Sequence, residues 1–144
     1  MSSASPGRRI CICGSMAVIE PIEALASTLR RAGHQVVTPS RQPMDDQWGE
    51  LSLRDQVAAK RPLISAHLDE IRQADAVLIA NFAAKGVEGY VGSNTLMEVA
   101  FARALGIPVH LLNQPGPQPC QVEVLAVATS ILDSDPLRIT DGRR

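Results

Sequence analysis

Glu98 is the only carboxylate between Gly89 and Gly106, in the stretch GYVGSNTLMEVAFARALG, and a lone acid in an otherwise apolar helical pattern needs a reason. The ends of that helix are marked. Gly89 and Gly92 break the preceding segment, Ser93, Asn94 and Thr95 are capable N-caps, and Gly106 followed by Ile107 and Pro108 stops it. Leu96, Val99, Ala100 and Ala104 recur at three- and four-residue spacing, and the alanines at 100, 102 and 104 let the helix lie close on a sheet. Glu98 is therefore expected in the first turn, where two readings stand. Thr95-Leu96-Met97-Glu98 fits a capping box, with the glutamate reaching back to the backbone N–H of the cap residue. Alternatively, the carboxylate is held at a pocket rim and kept ionised by the positive end of the helix dipole. Ser93 and Asn94 share the ambiguity, as N-caps or as hydrogen-bonding groups for a ligand.

Other residues offer chemistry more weakly. Gly14 and Ser15 follow an apolar strand, where glycine permits close approach and the next helix N-terminus offers free N–H groups to a sugar or phosphate. No GxGxxG or Walker sequence supports a dinucleotide or triphosphate there. Asp69, beside Glu70, reads from spacing alone as a solvated helix residue. Cys11 and Cys13 share one face of their strand, but no neighbour in sequence completes a metal set, so they are expected to be buried apolar residues and no metal is expected. His34, His67 and His110 lack metal spacing and carry no catalytic role here; His67, two residues before Asp69, is the one of interest. Trp48 either stacks on a base or packs its loop against the core.

The elements that must position these residues alternate. A strand over residues 9–13, a helix over 21–32, a strand over 34–38, a helix over 62–73, a strand over 76–80, the Glu98 helix, a strand over 107–112 and a last helix over 121–132 are expected. The polar run from 40 to 61 reads as a mobile cover. Continuous apolar strands alternating with helices imply an α/β, flavodoxin- or Rossmann-like, doubly wound parallel sheet in a single domain over 9–135, with a disordered lead-in over 1–8 and a polar tail over 136–144. In such a sheet ligands bind beyond the carboxyl ends of the strands, where Gly14, the 81–92 loop, Glu98 and Asn113 fall.

Composition narrows the partners. A net charge of -1 gives no case for a nucleic-acid polymer or a membrane surface, and 3% aromatic content argues against a base-stacking platform for single strands. Three cysteines and no secretory segment fit the cytoplasm.

Together, ICICGSM at 10–16, HLDEIRQADAVLIA at 67–80 and GYVGSNTLMEVAFARALGIPVHLLN at 89–113 resemble the nucleoside 2-deoxyribosyltransferase superfamily, which includes the nucleoside 5′-monophosphate N-glycosidases. The resemblance covers most of the chain. It implies a flavodoxin-like fold, Glu98 as nucleophile on the anomeric carbon, and Asp69 beside it in contact with the sugar. It also implies a nucleoside or nucleotide substrate, no metal or organic cofactor, and a homodimer or larger homo-oligomer. Substrate contacts are expected from Gly14, Ser15, Gly92, Ser93 and Asn94. The chain departs from the pattern at Cys11, where the family often has tyrosine, and at Gly92, where it often has a ligand-binding side chain; these departures imply a different sugar or substituent, or a protein that binds a nucleotide without turnover. The PGGxGTxxE signature of the phosphoribohydrolases is absent.

Overall fold

The computed structural model describes residues 7–41 and 45–141. Strands β1 (Arg9–Cys13), β2 (Gln35–Val37), β3 (Ala76–Ile79), β4 (Val109–Leu111) and β5 (Ser130–Ile131) form one five-stranded sheet in the order β2-β1-β3-β4-β5. Every pairing is parallel, with Cys11 opposite Val37 on one side and Val77 on the other, and Cys13 opposite Ile79. This is the flavodoxin-like order, and the chain reverses its winding between β1 and β3. Because both faces of the sheet are covered, β1 after Arg9 and the whole of β3 are apolar rather than alternating.

Helices α1 (Ile19–Arg31), α2 (Leu53–Arg72), α3 (Ser93–Ala104) and α4 (Gln121–Val127) divide between the two faces. Ile22, Leu25, Ala26 and Leu29 of α1 pack with Ile10, Ile12 and Leu78 on one face, joined by Ile139 from a short 3₁₀ turn over Pro136–Asp141. Ile71 of α2, Val99 and Ala102 of α3 and Val124 of α4 pack on the other face with Cys11, Cys13, Val77, Ile79 and Leu111. Strand alternation thus places both thiols on the side where α2 and α3 meet. No helix among the described residues is long and apolar enough to cross a membrane.

Three expectations are corrected. The helix expected over 62–73 begins not at Pro62 but at Leu53, capped by the Ser52 side chain accepting from Asp55 N at 3.1 Å, and it carries Pro62 inside. Proline usually marks a first turn, but here its exposed position and the good helix formers before it let the helix run through. The expected cover therefore shrinks to residues 40–52, of which 42–44 lie outside the described residues. The last helix ends at Val127, because Ala128 is extended (ψ 143°) and leads into β5, a strand too short to show a period of two. At the ends, residues 1–6 of the expected lead-in and 142–144 of the tail lie outside the described residues. Arg8 is tied in, its N–H donating to His34 Nδ1 at 3.1 Å and its guanidinium to the Ile139 carbonyl.

His110 on β4 is 3% exposed, its Nδ1 lies 2.7 Å from Ser130 Oγ, and its Nε2 is buried without a partner. Burial, aided by Arg8, holds its pKa below the ordinary value of 6.5. The neutral ring is favoured in the fold, so this stability is complete above the unfolded value and is lost as pH falls through the folded one. The melting temperature is expected to drop between about pH 7.5 and about pH 5.5, and His110→Gln to flatten that slope. Some slope persists through His34, which burial also lowers; an unchanged profile in the variant would remove His110 as a cause.

Candidate functional site

A cavity of about 490 Å³ opens at the carboxyl ends of β1 and β2, beside the β1/β3 reversal. That volume suits a small molecule of nucleoside size. Its wall is built from Gly14, Ser15, Met16 and Ala17 after β1, residues 37–40 after β2, and Trp48. Lys60, Leu63, Ile64, His67 and Glu70 of α2 close one side; Tyr90, Gly92, Ser93, Asn94, Thr95 and Glu98 close the other. A side chain at Gly14 would force Ile22 to shift, since a Cβ there would sit 2.7 Å from Ile22 Cδ1 and 3.3 Å from the Ala80 carbonyl.

The capping-box reading of Glu98 does not hold. The N-cap of α3 is Gly92, which has no side chain, and the first helical bond runs from Leu96 N to Gly92 O at 2.9 Å. Glu98 therefore sits in the second turn, three residues after buried Thr95, on the face that α3 turns inward. It is 4% exposed and no salt bridge among the described residues reaches it. Burial raises its pKa above 4.5, and His67, Cys13 and Lys60 pull the other way. A buried acid without a fixed counter-ion contributes poorly to stability, which is the pattern of a group kept for chemistry.

Beneath the cavity floor lie the two cysteines of β1. His67 Nε2 stands 3.5 Å from Cys11 Sγ, 3.6 Å from Cys13 Sγ and 3.1 Å from the Ile12 carbonyl. The three donor atoms all lie within 4.8 Å of one another. The neighbour that the cysteines lacked in sequence thus arrives 54 and 56 residues later, on the turn of α2 before buried Ile71. Cys11 is drawn down to about 6, first by the Cys13 thiol and then by His67, against burial. Cys13 is pushed up by burial and by its acidic neighbours. Burial alone would lower His67, but Cys11, Glu98 and the Ile12 carbonyl together raise it.

Gly14, Ser15, Gly92, Ser93, Asn94 and Glu98 all line the cavity. Asp69 does not: it is exposed and lies outside the wall. One helical residue subtends about 100°, so the turn that points His67 and Glu70 inward points Asp69 away. Glu70 is itself held by Arg9 at 2.9 Å. Asn113 is also absent from the wall; Asn81 Nδ2 donates to its carbonyl at 2.7 Å and its N–H donates to Asn81 Oδ1 at 2.9 Å, which stitches the ends of β3 and β4.

Sequence reasoning did not find Lys60, Glu70, Lys85 or Tyr90. The Leu63, Ile64, His67, Ile71 spacing held the signal for the inner face of α2. Lys85 sits in a tight turn closed by paired bonds between Ala84 and Val87 (3.1 and 2.9 Å), at φ 52°, a left-handed conformation that favours glycine or asparagine. Its ammonium lies 5.7 Å from the Tyr90 ring. Trp48 is half-buried on the wall, with Lys60 Nζ at 5.8 Å from its ring.

No family model and no curated protein sequence matches the chain. Its structure is similar to that of a 2-deoxyribosyltransferase from Bacillus psychrosaccharolyticus, with a TM-score of 0.64 and 17% identity over 92% of this chain and 90% of that one. At that identity the likeness establishes the fold.

The loop before α3 is clasped from below by Gln118, whose Oε1 accepts from Val91 N at 2.9 Å and whose Nε2 donates to the Gly89 carbonyl at 3.0 Å. Gln118→Leu leaves both groups unmet and is expected to lower stability by about 1–3 kcal/mol in denaturant titration. Wild-type stability would show that the loop is held by other bonds.

Proposed function

We propose that this protein cleaves or transfers at the N-glycosidic bond of a nucleoside or nucleoside monophosphate, with Glu98 as nucleophile. The observation that carries this reading is the burial of Glu98 in the cavity wall with neither a capping bond nor a salt bridge. The shared fold with a 2-deoxyribosyltransferase supports it.

In this reaction a carboxylate oxygen of Glu98 bonds to the anomeric carbon through an oxocarbenium-like transition state, as the carbon–nitrogen bond breaks and its electron pair leaves with the base. Water or a second base then displaces Glu98 from the glycosyl-enzyme. His67 and Lys60 favour the ionised carboxylate that the attack requires. Gly14, Ser15, Gly92, Ser93 and Asn94 hold the sugar or its substituent, and Trp48 and Tyr90 offer aromatic faces to the base. Asp69 takes no step, because it lies outside the cavity. Lys60 and Lys85 on the wall fit an anionic 5′-substituent. Cytoplasmic residence and homo-oligomeric assembly belong to the same reading; Leu53 and Val57 on α2, 76% and 44% exposed, offer apolar surface for a second copy.

Base release measured by chromatography across ribo- and deoxyribonucleosides and their monophosphates tests this. Glu98→Gln is expected to keep the fold and lose at least about a hundredfold in rate, or about 2.7 kcal/mol of barrier. Full activity in Glu98→Gln would overturn the nucleophile. No release from any substrate, with one ligand still raising the melting temperature, would favour a nucleotide-binding or sensing protein, the reading that the departure at Cys11 supports. Lys85→Asn is expected to leave stability equal or higher, because asparagine suits the left-handed turn, and to raise KM for a monophosphate about tenfold more than for the nucleoside. Equal effects on both substrates would remove Lys85 from phosphate recognition.

A further inference from the structure

Cys11, Cys13 and His67 gather two sulfurs and one imidazole nitrogen in one small volume, from β1 and α2. In a tetrahedral zinc site with Zn–S about 2.3 Å and Zn–N about 2.0–2.1 Å, a sulfur and a nitrogen ligand stand roughly 3.6 Å apart. His67 Nε2 lies 3.5 Å from Cys11 Sγ and 3.6 Å from Cys13 Sγ. Both nitrogen–sulfur edges of such a tetrahedron are therefore present in the protein as it stands.

The geometry points to a binding site for a thiolate-preferring divalent cation of the zinc class, held by Cys11 Sγ, Cys13 Sγ and His67 Nε2, with Glu98 beside the fourth position. The donor set excludes magnesium and calcium, which take oxygen ligands. It matches the sulfur and imidazole preference of zinc. Charge favours the site as well. Two thiols release their protons on binding, so a dication with two thiolates is neutral and costs little to bury among residues 0–1% exposed. His67 gives its Nε2 lone pair to the ion, so any proton there moves off and its bond to the Ile12 carbonyl is given up. Glu98 interacts electrostatically with all three ligands, and it lines the cavity that the sulfurs do not reach. A Cys11–Cys13 disulfide is the poorer fit: residues two apart on one strand face stand about 6.6 Å apart at Cα with parallel side chains, at the outer limit for a bridge.

The test uses the full chain, reduced and stripped with a chelator, then dialysed against Zn²⁺ or Co²⁺. One equivalent of zinc by metal analysis and a near-ultraviolet thiolate-to-cobalt charge-transfer band are expected. Cys120→Ser, outside the cluster, is expected to keep both signals. The Cys11→Ser/Cys13→Ser double variant should lose both. His67→Gln leaves the strand untouched and should weaken zinc binding more than about a hundredfold while keeping the far-ultraviolet dichroism of the fold. This variant decides the matter if the double variant fails to fold. Reduced wild type that takes up no zinc, or His67→Gln that binds it as tightly as wild type, would overturn the site. The readout is metal content, so it stands apart from whether Glu98 releases a base.

Discussion

Parallel pairing of β1 with β3 is the constraint on which the rest of the molecule depends. It puts the first strand inside the sheet rather than at its edge, so the chain winds one way to β2 and the other way to β3, β4 and β5. Helices consequently fall on opposite faces, and a gap opens beyond the carboxyl end of β1 that no helix can fill. Gly14 lies in that gap, where a Cβ would meet the Ala80 carbonyl at the end of β3 and the side chain of Ile22. The cavity is thus a product of topology before it is a product of any side chain.

What the cavity can do follows from the two helices on one face. α3 brings Glu98 in from its second turn, and α2 brings His67 and Glu70 across the same opening. β1 sets two sulfurs against His67, outside the cavity wall. A carboxylate among these groups is penalised by burial and relieved by nearby positive charge, so its ionisation depends on the imidazole and the ammonium opposite rather than on solvent.

Much of this was legible in the sequence, and the failures have physical causes. The parallel sheet and Glu98 could be read because apolar runs and glycine stops are local signals. The first half of α2 could not, because Pro62 imitates a helix start and hides the Ser52 cap ten residues earlier. The half-burial of His67 and the exposure of Asp69, two positions apart on that helix, depend on which side α3 and β1 pack against, and that is not a local signal. Two-residue β5 carries no periodicity to find. The sulfur and imidazole cluster joins residues more than fifty positions apart, which spacing alone does not reveal.

Gly92 carries one more consequence. A Cβ at that position would lie 3.0 Å from Tyr90 Oη, so the space that a larger residue would occupy is already filled by a ring anchored two positions earlier. The glycine is therefore not an empty place in the wall: the volume beside it belongs to a phenol hung from Tyr90. Enlarging residue 92 would add no surface to the cavity, only push that ring aside, so the backbone at one position and the side chain at another behave as a single piece of wall.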